Sequence, residues 1–221
     1  MIDTFHIQFA RWVSRVMSDQ SSNTERGVAD RSQPAIAAFG LGMAALIMTI
    51  LGFTWLGWGF SADAAFTVTQ WIIFYLAFLA LLGISVHAVR GGNALMKPHS
   101  AQRAAFRART EKKFRIVAIL EGTGCGIVVL LTIVFHRLDL LAVGISLVVG
   151  IHFLPLAGLF RFPAYYAAGI AIILCDLVSW ALLRSDAITV SVGIATGTVL
   201  WVTAIYALLR SRKFFRDATT G

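Results

Sequence analysis

Acidic residues are scarce in this chain, and cysteines scarcer. Asp and Glu together number 11 in 221 residues, and charged residues of both signs reach only 14%, far below the quarter typical of soluble domains. That shortage leaves no room for a separate soluble domain. The two cysteines, Cys125 and Cys175, fall in the middle of different apolar runs, which excludes an exported disulfide framework and a zinc finger. They read as small packing residues, with a helix-to-helix disulfide or a redox thiol as the alternatives.

Recognisable reaction chemistry is missing as well. No nucleotide loop, two-histidine metalloprotease motif, serine elbow or paired-aspartate signature occurs, so nothing supplies a nucleophile or an activated water. An enzyme is therefore not the expectation, and the residues imply no particular cofactor. A cleavable signal peptide is also missing from the reading, because the first apolar run, starting at Ala35, is too long and too late for one. That run should insert and stay.

What fills the chain instead is apolar sequence, at 58% hydrophobic residues. Six runs, over 35–56, 68–89, 116–135, 140–160, 164–183 and 188–209, are each long enough to cross a hydrocarbon core of about 30 Å. The expected fold is an all-α integral membrane protein, a six-helix bundle built of three hairpins. Its parts are a cytoplasmic segment 1–34, the transmembrane domain 35–209 with a basic loop 90–115, and a basic tail 210–221.

The net charge of +8 would suggest nucleic acid in a soluble protein, but here topology accounts for it. Arg11, Arg15, Arg26 and Arg31 precede the first run, and Arg90, Lys97, Arg103, Arg107, Arg109, Lys112, Lys113 and Arg115 lie between the second and third. Arg161 follows the fourth run, and Arg210, Arg212, Lys213 and Arg216 follow the sixth. Only Arg137 and Arg184 lie on the other side. This asymmetry predicts both termini in the cytoplasm. Trp55, Trp58, Trp71 and Trp180 then fall at the outer interface, where aromatic rings anchor, whereas a membrane-embedded Trp201 should pack between helices.

Ile2, Phe5, Phe9, Trp12, Val13 and Val16 recur at helical spacing, which predicts a short amphipathic helix on the cytoplasmic leaflet, followed by a polar linker over 18–33. The mixture of Ala, Arg, Glu and Lys over 101–115 predicts a basic helix that leads into the third span or lies on anionic lipid. Links as short as 136–139 and 184–187 require antiparallel hairpins. Gly122 and Gly126, and likewise Gly193 and Gly197, form Gly-x-x-x-Gly motifs that let helix backbones approach closely. A bundle of several spans usually consumes such faces internally, although a second copy could do so.

Four ionisable side chains occupy positions where hydrocarbon makes them costly. Glu121 lies one and a half turns inside the third run and must either carry its proton or face a polar interior with a cationic partner. Asp176 is midway through the fifth run, with Ser179 one turn further on the same face. His152 sits in the fourth run, three residues before Pro155, whose missing N–H frees the carbonyl of Ile151 beside the imidazole. His87, near the end of the second run, can reach the interface and has the most ordinary explanation of the four.

Gly150-Ile-His-Phe-Leu-Pro-Leu-Ala-Gly-Leu-Phe160, continued by Ala164-Tyr-Tyr166, resembles a segment of small bacterial multi-pass membrane proteins of unknown function. The resemblance covers the fourth and fifth runs; it implies a bacterial inner-membrane bundle and no activity. The residues themselves lead to three readings. One is a small-solute or ion pathway, possibly proton-coupled, through Glu121, His152, Asp176, Ser179, Pro155 and His87. A second is a non-catalytic scaffold, sensor or partner subunit held together by interhelical hydrogen bonds. The third is a haem b protein with His87 and His152 as axial ligands, which an axial offset of roughly 9 Å between them opposes.

Overall fold

A backbone surrounded by hydrocarbon has to satisfy its own N–H and C=O groups, and an unbroken helix does so within one segment. The computed structural model, which describes residues 32–95, 101–183 and 185–220, is helical nearly throughout, with no strand among those residues. Its helices are α1 (Ser32–Ala62), α2 (Val68–Leu95), α3 (Ala101–Val134), α4 (Leu141–Phe160), α5 (Ala164–Leu182) and α6 (Ser185–Thr220). All six are long and apolar enough to cross a membrane. The chain is thus an all-α protein with the makings of a multi-pass membrane protein.

Several boundaries differ from the sequence reading. α1 continues beyond Leu56 to Ala62, and α6 runs on to Thr220, so residues 210–220 extend the last helix and do not form a separate tail. The region 90–115 is helical at both ends, because α2 reaches Leu95 and α3 begins at Ala101. For α3 and α6 this follows from composition, since the Arg, Lys, Ala and Glu residues at 101–115 and the Arg and Lys residues at 210–216 favour helix. The amphipathic helix and linker expected over the first 31 residues lie outside the described residues.

The connections are tight and locally specified. Between α1 and α2, Asp63 Oδ1 accepts from the Ala65 N–H at 2.9 Å, and the Thr67 N–H donates to Gln70 Oε1 at 2.7 Å; both are side-chain substitutes for backbone turns and caps. Arg137 Nη2 donates to Asp139 Oδ2 at 3.0 Å in the α3–α4 turn. That bond and the nearby charge hold the Arg137 guanidinium above its ordinary pKa. α4 ends on Arg161 in the left-handed region, φ 51°, and the Phe162 N–H reaches back to the Ala157 carbonyl at 3.1 Å. Pro155 lies within α4, which passes through it to Phe160.

α4 and α6 are the interior helices. α4 packs on α3, α5 and α6, and α6 packs in addition on α2. Half of the α6 span is buried, against 6% of the α3 span. The outer faces of α2 and α3 carry exposed Ile72, Leu76, Leu79, Ile119, Leu120 and Leu130, a surface suited to lipid and not to water. α1 and α2 are joined by stacked Phe53 and Phe74, 5.0 Å between centroids, and by Thr49 and Ser85, whose hydroxyls lie 3.3 Å apart.

The two glycine motifs have different fates. A Cβ on Gly193 would lie 2.6 Å from the Gly59 Cα, and one on Gly197 would meet the Leu56 backbone at 2.7 Å, so this motif seats α6 directly on α1. Gly122 and Gly126 have nothing within 4 Å among the described residues. Of the two partners the sequence left open, a helix of the same chain is found, among the described residues, only for Gly193 and Gly197. Gly124 is the α3 glycine that meets α4, at Val148, and Gly122 and Gly126 on either side of it consequently face outward.

Candidate functional site

α4 positions two polar groups on different faces. Ser146 and His152 are six residues apart, which amounts to about 9 Å of rise and directions about a third of a turn apart. One face therefore meets α5 and α6, and the other meets α3.

On the α3 side, His152 Nε2 lies 3.4 Å from Glu121 Oε2. Their side chains are 11% and 30% exposed respectively, so the pair is partly sheltered and not sealed. The approach depends on Gly124 and Gly144, which let α3 and α4 come together through Val148 and Val128. A carboxylate facing an imidazole in this way can share and exchange a proton with it.

A different face of α4 contributes to a second locus. Asp176 of α5 is 0% exposed, and neither carboxylate oxygen has a hydrogen-bond partner. Ser146 of α4 lies beside it, but the Ser146 hydroxyl is engaged with Thr196 Oγ1 of α6 at 2.7 Å. One turn along α5 from Asp176, Ser179 Oγ and Ser191 Oγ of α6 are 2.9 Å apart. Five oxygen-bearing side chains from three helices therefore gather in the interior. Ser146, Asp176 and Thr196 are fully buried, and Ser179 nearly so.

Close backbone contact makes this gathering possible. A Cβ on Gly169 would lie 2.6 Å from the Gly150 carbonyl oxygen, which fixes α5 hard against α4 two turns from Asp176.

The structure brings Glu121 and His152 together, and Asp176 with Ser179 and Ser146, but as two loci on different faces of α4. His87 belongs to neither. It is exposed on α2 and makes no bond among the described residues, while His152 is turned to Glu121. Cys125 and Cys175 are both free thiols. Among the described residues no group of three or more His, Cys, Asp or Glu could hold a metal ion.

Sequence reasoning passed over Ser146, Thr196 and Ser191. The signal was present: in an antiparallel arrangement with links at 136–139 and 184–187, Ser146, Asp176 and Thr196 stand at similar distances from one end of the bundle. Compared with known proteins, the chain matches no family model, no curated protein and no solved structure.

Proposed function

We propose that this protein is a membrane transporter or binding protein for a small solute or ion, linked to protons through an intramembrane polar site. The observation that carries the reading is the Glu121–His152 pair, 3.4 Å apart across two helices that are otherwise apolar at that depth. Ionisable groups in spans are costly and mark pathways more often than they serve as glue. Termini on the cytoplasmic side and anionic lipid against the basic stretches belong to the same proposal, on the strength of the Lys and Arg asymmetry; a bacterial inner-membrane location joins it through the resemblance of residues 150–166 alone.

The test is charge movement by reconstituted protein on a solid-supported membrane, screened over monovalent cations and small polar solutes under an imposed pH gradient. The reading requires a current that Glu121→Gln deprives of its pH dependence. If the wild-type protein gives no current, or Glu121→Gln leaves current and pH dependence unchanged, the reading fails.

The outward Gly122 and Gly126 favour a second reading, a partner subunit or homo-oligomer in which α3 meets another transmembrane helix. Gentle purification in which Gly122→Ile releases a co-purifying membrane protein or a second copy would support it. Identical composition before and after that substitution counts against it.

A further inference from the structure

We propose that Asp176, with the hydroxyls of Ser146, Thr196 and Ser179, forms a binding site for one dehydrated monovalent cation of sodium type in the interior of the bundle. The inference deepens the transport reading by naming an ion, and rests on that reading for its purpose, but its chemistry is tested by binding alone.

The first argument is the state of the carboxylate. Asp176 is 0% exposed, and both of its oxygens lack a donor. A carboxylate acting as interhelical glue would be hydrogen-bonded, since an unmatched buried acceptor costs stability that glue is meant to provide. The hydroxyls nearby are paired with one another, Ser146 Oγ with Thr196 Oγ1 at 2.7 Å and Ser179 Oγ with Ser191 Oγ at 2.9 Å, and Ser146 is the one that lies beside Asp176. Each of these oxygens keeps lone pairs free. A locus built of lone pairs and one negative charge is suited to a cation.

Charge and softness choose the cation. One carboxylate among neutral hydroxyls is balanced by a single positive charge; a divalent ion would leave a net buried charge, at high cost. Hard oxygen ligands suit alkali or alkaline-earth ions, not the softer transition metals, and Cys175, next to Asp176 in sequence, is on a different face of α5. The ligands come from α4, α5 and α6; the Gly150–Gly169 backbone contact holds the first two together, and Ser179 with Ser191 ties α5 to α6. Such a site is preorganised, so little is lost in assembling it around the ion.

The experiment is thermal unfolding of the full chain in lipid nanodiscs, titrated with sodium chloride against choline chloride at constant ionic strength. Sodium should raise the midpoint saturably where choline does not, because a ligand that binds only the folded state stabilises it by mass action. Asp176→Asn, similar in shape but neutral, should abolish the sodium dependence. Ser146→Ala should raise the half-saturating concentration about tenfold, the equivalent of one lost oxygen contact. If Asp176→Asn does not fold, equilibrium binding of radioactive sodium to the wild-type and Ser146→Ala proteins provides the same comparison.

Equal responses to sodium and choline, or a sodium effect that survives both substitutions, would overturn the proposal. So would a site that takes only a proton, which shows no sodium dependence at any pH. Sodium binding without any current would leave this site standing and sink the transport reading; current without sodium binding would do the reverse.

Discussion

Glu121 of α3 and His152 of α4 face each other with Oε2 and Nε2 3.4 Å apart, the one ion pair among the described residues that joins two spanning helices. Because the pair is partly exposed, its contribution to stability is modest, and a double-mutant cycle of Glu121→Gln and His152→Gln should return a coupling of about 1 kcal/mol. The charge–charge part exists only while the imidazole is protonated and the carboxylate ionised. Coupling should therefore be greatest where both charges are present and weaken toward either extreme of pH. Unfolding of the four proteins of the cycle at several pH values checks this, and a pH-independent coupling contradicts it.

The glycines divide into two classes with opposite expected responses. Gly169→Val places a side chain where even a Cβ would be 2.6 Å from the Gly150 carbonyl; α4 and α5 must separate, at a cost of about 1–3 kcal/mol. Gly122→Ala and Gly126→Ala meet nothing within 4 Å among the described residues. By helix propensity they should stabilise the monomer by up to about 1 kcal/mol each. Unfolding midpoints in nanodiscs distinguish the classes directly.

Trp201 extends the packing argument to the other side of the bundle. Its Nε1–H donates to the Thr49 carbonyl of α1 at 3.1 Å, and its ring stacks on Phe74 of α2 at 5.6 Å. Trp201→Phe keeps most of the ring contact and loses the hydrogen bond, so the loss should be about 1 kcal/mol. Trp201→Ala should cost about 3–5 kcal/mol, because it opens a cavity where three helices meet. Equal losses for the two substitutions would mean that the hydrogen bond, and not the filled volume, dominates.

The six spans were legible because hydrocarbon imposes one strong rule, about twenty apolar residues per crossing, and the sequence obeys it six times. The packing of Trp201 was legible for a similar reason, since a ring at that depth has no headgroup to reach. Partnership was not legible. Nothing in the run around Glu121 says which helix it meets, because neighbours in a bundle are decided by side-chain fit across faces that all look apolar in sequence. The same blindness hid Ser146 and Thr196: a lone serine or threonine in an apolar run is ordinary, and it gains meaning only when three helices bring such residues around one carboxylate. The motif at Gly122 and Gly126 did not name its partner for the same reason, since small residues permit close approach without saying to which helix.

The contact between α4 and α6 provides the most direct check on the interior locus. Ser146 Oγ and Thr196 Oγ1 are 2.7 Å apart with both residues fully buried, so cysteines at the two positions bring their sulfurs within bonding reach after a small rotamer change. In a background with Cys125→Ala and Cys175→Ala, Ser146→Cys with Thr196→Cys should form an intramolecular disulfide under mild oxidation, read as a mobility shift reversed by reductant. Glu121→Cys with Thr196→Cys, on different faces of α4, should not. Cross-linking of the second pair but not the first would mean that α4 is rotated from the orientation described, and both polar loci would then have to be rebuilt. The first pattern, by contrast, holds α4 and α6 in the register that joins Ser146 to Thr196, two of the proposed ligands of Asp176.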